Sequence, residues 1–132
     1  DRYGNLVKDY TPEAKNHVDI SPETWANVKE GMNRVIKEGS ARRVFTDLNV
    51  NIAGKTGTAQ ESKTRANHAF FISFAPFESP EIAVTVNIPY GYSSTNAAVI
   101  AKNIYKYYYN QISLDYILNN SALDVSDVRI GD

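Results

Sequence analysis

The sequence predicts an α+β fold, an antiparallel β-meander flanked by helices, and three observations lead to this prediction. Apolar residues recur at helical spacing in two separate segments, 21–39 and 96–110. Between these segments, residues 50–89 change to the two-residue period of strands. Two short polar connections divide that region into three strands, and short connections favour antiparallel pairing. The whole chain, residues 1–132, is expected to belong to one domain.

The first helix is expected after residues 1–20, which are polar and predicted to be irregular, with a turn at Tyr3-Gly4-Asn5. Ser21 is a favourable N-cap, and Pro22 suits the first helical position. Gly39 is placed to end the helix in a left-handed turn. The apolar stripe expected to face the core consists of Trp25, Val28, Met32, Val35 and Ile36.

The sheet and the second helix come next. Residues 51–60 are rich in β-forming types, 68–76 are apolar on both faces, and 81–89 alternate between apolar and polar types. The helix predicted over 96–110 places Tyr105 and Tyr108 on one face, which favours core packing over a stacking site. The tail, residues 113–132, has room for one further short helix.

The composition excludes several kinds of function. A formal net charge of −1 gives no general attraction to nucleic acid. The chain has no cysteine, so disulfides, thiolate metal sites and a cysteine nucleophile are excluded. The two histidines, His17 and His68, lack neighbours at metal-ligand spacing, which favours structural roles. We therefore expect neither a metal nor another cofactor.

The segment 52–60, IAGKTGTAQ, carries the residues best suited to chemistry. Lys55 supplies a cation that can orient a proton relay or a carboxylate, and Thr56 and Thr58 supply hydroxyl donors. Gly57 lets a substrate backbone approach the strand, because it has no side chain. An extended peptide could pair with such a strand at a sheet edge. The alternative is that a Lys-Thr-Gly tripeptide forms only a turn, since three-residue matches arise by chance.

The context of this tripeptide resembles the transpeptidase domain of penicillin-binding proteins, closest to the class B enzymes. AGKTGTAQ matches the Lys-Thr-Gly motif of that family, and HAFF and FAP resemble its next strand. Residues 82–87 resemble the strand after that, and SPETWANVKEGM resembles the helix before the motif. The resemblance covers roughly residues 20–110 and implies a partial penicillin-binding transpeptidase or β-lactamase-like fold.

The resemblance also implies roles for individual residues. Lys55 would hold the hydrogen-bond network around a serine nucleophile and its general base. Thr56 and Thr58, with Gly57 between them, would bind the terminal carboxylate of a D-Ala-D-Ala stem peptide or the acid group of a β-lactam. The backbone N–H of Thr58 would form half of an oxyanion hole.

Two of the three motifs of the family are missing from this sequence. No serine has a lysine three residues later, as the Ser-x-x-Lys motif requires. Ser94-Thr95-Asn96 has the form Ser-x-Asn but follows the Lys-Thr-Gly strand, so we interpret it as a helix cap. Tyr3-Gly4-Asn5 lies too close to Lys55 to be the variant motif. The chain begins without an initiator Met, and we expect it to be the C-terminal part of the domain, inactive alone.

The resemblance implies a D,D-transpeptidase that cross-links peptidoglycan by serine acyl transfer, on the extracytoplasmic face of the bacterial cytoplasmic membrane and within a cell-wall synthesis complex. The alternatives are a β-lactamase or D,D-carboxypeptidase of the same superfamily, or a non-catalytic penicillin sensor. In that family two further strands come from upstream sequence. We therefore expect residues 81–89 to have an unpaired edge, and the fragment to self-associate along them or across the C-terminal helix.

Overall fold

The computed structural model describes residues 3, 5–8 and 13–120 and confirms the α+β fold. The elements follow the order α1 (Pro22–Lys37), β1 (Ala53–Ala59), β2 (His68–Ala75), β3 (Ile82–Ile88), α2 (Ser94–Tyr108) and α3 (Leu114–Asn120). The three strands form one antiparallel sheet in the order β1-β2-β3. Gly4 of the turn predicted at residues 3–5 and residues 121–132 of the predicted tail lie outside the described residues.

Helix α1 begins as predicted, because the Ser21 side chain accepts a hydrogen bond from the Thr24 N–H at 3.1 Å. Its apolar stripe is only partly buried. Ile36 lies in the core, whereas Trp25 and Val28 are 52% and 51% exposed. The prediction that the whole stripe faces the core was therefore wrong for the first half of α1, within the described part of the chain.

The end of α1 also differs from the prediction. Gly39 does not adopt the left-handed conformation expected of it. A Cβ atom at Gly39 would instead lie 2.8 Å from the Cα of Val35, so glycine is needed for close approach. The Gly39 and Ala41 N–H groups donate to the carbonyl oxygens of Arg34 and Val35 at 2.8 and 3.1 Å, which closes the turn after the helix.

The core lies between the sheet and α2. Phe71 of β2 and Tyr105 of α2 are fully buried there, and Phe45 stacks on Phe71 with 5.5 Å between the ring centroids. Tyr105 donates a hydrogen bond from its hydroxyl to Ser73 at 2.9 Å, and the Ser73 hydroxyl donates to the carbonyl of Val84 at 3.3 Å. This buried chain of hydrogen bonds connects α2 to both β2 and β3.

Helix α2 begins two residues before the predicted start. Its N-cap is Ser93, whose hydroxyl accepts from the Thr95 N–H at 3.2 Å, so Ser94 and Asn96 belong to the first turn. The Asn96 side chain is buried and donates to the Gly91 carbonyl at 2.9 Å. The expected capping role thus belongs to the residue just before Ser94-Thr95-Asn96.

Candidate functional site

Strand β1 lies at one edge of the sheet and carries all four residues that the sequence indicated, Lys55, Thr56, Gly57 and Thr58. It pairs only with β2 among the described strands. The outer side of β1 therefore presents the backbone N–H and C=O groups of alternate residues, as an edge strand does. These are the groups that an extended peptide would need for pairing with β1.

The alternation of a strand divides these side chains between the two faces of the sheet. On one face, Lys55 lies opposite Ile72 and Gly57 opposite Phe70. On the other face, Thr56 lies opposite Phe71. Lys55 and Thr58 are exposed and Thr56 is half-buried. A ligand that contacts both the ammonium group and the threonine hydroxyls must therefore lie along the edge of β1 rather than on either face.

The Lys55 ammonium group lies close to the backbone of β1. Its Nζ donates a hydrogen bond to the carbonyl oxygen of Thr56 at 2.6 Å. Lysine is a point charge on a flexible stem, so the ammonium group can exchange this carbonyl for another acceptor nearby. The position fits a cation that orients a neighbouring nucleophile or a substrate carboxylate.

The two glycines of β1 are each required by a different close contact with β2. A Cβ atom at Gly54 would lie 2.6 Å from Cζ of Phe71, so glycine makes room for the buried ring beneath the strand. At Gly57 the added Cβ would lie 3.3 Å from Cβ of Phe70, which is tight. Gly57 therefore serves packing against β2, and the expected approach of a substrate backbone remains a prediction.

The structure adds Ser40 to the site, a residue that the sequence had not indicated. Ser40 lies in the turn that follows α1, and its hydroxyl oxygen is 2.9 Å from the hydroxyl oxygen of Thr56. Because 16 residues separate the two in the chain, no local pattern could have placed them together.

Asn33 was also missed, and it fixes the start of β1. Its side chain is fully buried on α1 and donates to the side-chain oxygen of Asn51 at 2.8 Å and to the carbonyl of Ile52 at 2.6 Å. Asn51 in turn donates to Glu78 at 2.6 Å. The residues just before the Lys-Thr-Gly segment are thus attached to both α1 and the β2–β3 turn.

A polar cluster lies beyond the other end of β1. His68 Nε2 is 3.2 Å from the Glu61 carboxylate, and its Nδ1 accepts from the Tyr90 N–H at 3.2 Å. Arg65 donates to the Tyr90 hydroxyl at 3.2 Å, and this hydroxyl donates to Glu61 at the same distance.

The other histidine, His17, is exposed and contacts Asp19 at 2.9 Å. Among the described residues, no three His, Asp or Glu side chains come together as metal ligands would.

Comparisons with family models and with curated proteins point to the same family. The family described as "Penicillin binding protein transpeptidase domain" matches residues 3–106. The peptidoglycan D,D-transpeptidase MrdA of Acinetobacter baumannii is 34% identical over 111 residues, which cover 74% of this chain. That alignment covers 16% of the relative, so the chain spans about a sixth of the length of the curated protein it matches.

Two solved structures show the same fold. Pseudomonas aeruginosa PBP2, in complex with WCK 5153, is 33% identical with a TM-score of 0.60, over 73% of this chain and 22% of that one. Penicillin-binding protein A of Mycobacterium tuberculosis, as its imipenem acyl-enzyme complex, is 32% identical with a TM-score of 0.51. The second alignment covers 64% of this chain and 20% of that one.

Proposed function

Because the chain belongs to the penicillin-binding protein transpeptidase domain family, we propose that it is the C-terminal part of a D,D-transpeptidase that cross-links peptidoglycan. One observation carries the proposal: the Lys-Thr-Gly segment occupies an edge strand whose outer side is unpaired among the described strands. A β-lactamase or carboxypeptidase could use the same strand. The relative named as a transpeptidase favours the transfer reaction.

In the complete enzyme, the edge of β1 forms one wall of the cleft. Thr56 and Thr58 donate hydrogen bonds to the carboxylate of a D-Ala-D-Ala stem peptide or a β-lactam, and Gly57 separates them. The Thr58 N–H stabilises charge on the attacked carbonyl. Lys55 supports the hydrogen bonds around the nucleophile and its base. Lys55 and Thr58 are exposed and Thr56 is half-buried, so a ligand at this edge can reach all three side chains.

The attacking serine comes from a part of the enzyme outside this sequence. No serine here has a lysine three residues later, and acyl transfer requires a serine activated by such a base. The acyl-enzyme form of the Mycobacterium tuberculosis relative supports a covalent intermediate. The chain alone is therefore expected to form no penicillin adduct, which intact-mass measurement with excess penicillin tests.

The family also suggests the surroundings of the complete protein. We place it on the extracytoplasmic face of the bacterial cytoplasmic membrane, within a cell-wall synthesis complex. Among the described residues, no helix is both long enough and apolar enough to cross a bilayer. As a fragment, the chain is expected to associate with itself along residues 81–89 or across the C-terminal helix. The strand in that range, β3, pairs only with β2 in the described part.

The proposal is tested by the Lys55→Ala variant of the complete enzyme. Loss of the ammonium group should slow acylation by penicillin about a hundredfold, or roughly 3 kcal/mol in transition-state stabilisation. The measurement is the second-order rate of mass increase, with thermal unfolding as a check on the fold. A folded variant that acylates at the parental rate would show that Lys55 has another role.

A further inference from the structure

The hydroxyl groups of Ser40 and Thr56 form a hydrogen-bonded pair beside the edge of β1. The two oxygens lie 2.9 Å apart, and either group could be the donor. The turn that holds Ser40 is tightly built, with hydrogen bonds from Gly39 and Ala41 back to α1. A Cβ atom at Gly39 would lie 2.8 Å from the Cα of Val35, so this turn packs closely against α1. Ser40 is therefore held at a defined place relative to β1.

The count of hydrogen atoms fixes the direction of this hydrogen bond when a carboxylate is bound. A threonine hydroxyl has one hydrogen, and an ionised carboxylate can only accept. If Thr56 donates to the carboxylate, its oxygen can only accept from Ser40. Ser40 must then be the donor, and donation to Thr56 polarises the Thr56 hydroxyl and strengthens the hydrogen bond to the carboxylate.

We propose that Ser40 is a positioning residue that orients the Thr56 hydroxyl as a donor to the substrate carboxylate. The inference rests on the proposed function, since it needs a ligand with a carboxylate at the edge of β1. In this role, Ser40 gives the turn after α1 a part in substrate recognition. Ser40 acts through Thr56, so its contribution depends on the Thr56 hydroxyl.

The experiment is a double-mutant cycle in the complete enzyme, with penicillin G as the probe. Ser40→Ala should lower the second-order acylation rate constant about five- to tenfold, as the loss of one supporting hydrogen bond predicts. Ser40→Thr keeps the hydroxyl and should stay within about twofold of the parent. In a Thr56→Val background, Ser40→Ala should change the rate constant by less than about twofold.

A matched control exists elsewhere in the chain. Ser62 and Thr64 form a similar pair of hydroxyls, 3.0 Å apart, in the β1–β2 connection. Ser62→Ala removes the same atom and should leave the acylation rate unchanged. Thermal unfolding of every variant separates loss of the fold from loss of orientation, because a merely structural Ser40 would lower stability regardless of the residue at position 56.

The possible outcomes separate this inference from the proposed function. If the parent acylates and Ser40→Ala acylates at the parental rate, the inference is overturned while the function stands. An equal loss in the parental and Thr56→Val backgrounds likewise overturns it, because Ser40 would then act independently of the Thr56 hydroxyl. If the parent protein gains no mass with penicillin G, the proposed function fails and the inference fails with it.

Discussion

At the scale of single residues, Gly54 decides how closely β1 approaches the core. An added Cβ would lie 2.6 Å from Cζ of Phe71 and 3.0 Å from the carbonyl oxygen of Ile72. Phe71 is fully buried and stacks on Phe45, so its ring has little space to move. Gly54→Ala should therefore lower the free energy of unfolding by about 2 kcal/mol, as measured by urea denaturation.

Gly31 provides the control for that substitution. It lies in α1, and an added Cβ would meet nothing within 4 Å. Gly31→Ala should raise the free energy of unfolding by up to about 1 kcal/mol, because alanine is the better helix former. Equal effects at the two positions would contradict the packing explanation for Gly54.

At the scale of elements, Asp47 connects the segment before β1 to α2. Lys106 donates a hydrogen bond to its carboxylate, and Lys102 lies 3.7 Å away. Burial alone would raise the pKa of Asp47, but the hydrogen bond from Lys106 and the two ammonium charges together lower it. A carboxyl group with a lowered pKa in the folded state stabilises the fold above its unfolded pKa.

The stabilisation by Asp47 should therefore disappear as the pH falls below about 4, through the lowered pKa of the folded state. Because the Asp47 side chain is 52% exposed, solvent screens the pair, and Asp47→Asn should cost only about 0.5 kcal/mol at pH 7. Urea denaturation at pH 7 and pH 3 measures both effects. As a control, Asp19→Asn removes a carboxylate from a fully solvated pair with His17 and should leave the stability at pH 7 unchanged.

The sequence predicted the kinds of elements well because period and caps are local properties. Ser21, Pro22 and the alternation in 82–87 each act within a few residues, and the structure places α1 and β3 accordingly. The burial of Asn33 and the contact of Ser40 with Thr56 were not predictable in this way. Both depend on partners that lie far along the chain, and a lone polar residue in a helix gives no signal of them.

The candidate site was partly predictable for the same reason. Lys55, Thr56 and Thr58 are consecutive or alternate residues of one strand, so their shared location on β1 follows from local sequence. Their roles remain predictions, since the sequence of one strand shows where these groups lie and not what they bind. The exposure of Trp25 and Val28 was missed because periodicity shows that a face is apolar and says nothing of what covers it.

At the scale of the whole molecule, the outer edge of β3 is a surface through which two copies of the chain could associate. A lysine at Val84 or Val86 would place a charge on β3 that could block pairing along this edge. The structure shows both valines buried beneath α2, so either lysine would disrupt the core. Thr85 lies on the opposite face and is exposed, which makes Thr85→Lys the appropriate variant.

We expect the parent chain to associate as its concentration rises, and Thr85→Lys to reduce this association, because a charge on an edge strand opposes pairing. Light scattering over a concentration series measures the effect. Ser79→Lys adds the same charge in the exposed β2–β3 turn and should leave association unchanged. A parent that stays monomeric throughout would contradict the prediction.

The order of the strands in the sheet, β1-β2-β3, is also their order in the chain, and this has a consequence for how the sheet forms. Each strand pairs with a neighbour reached through a short connection, and short loops cost little entropy to close. Contacts between near neighbours in sequence favour rapid folding. We therefore expect the two hairpins to assemble early, so that the edge carrying Lys55 forms before contacts between distant parts of the chain.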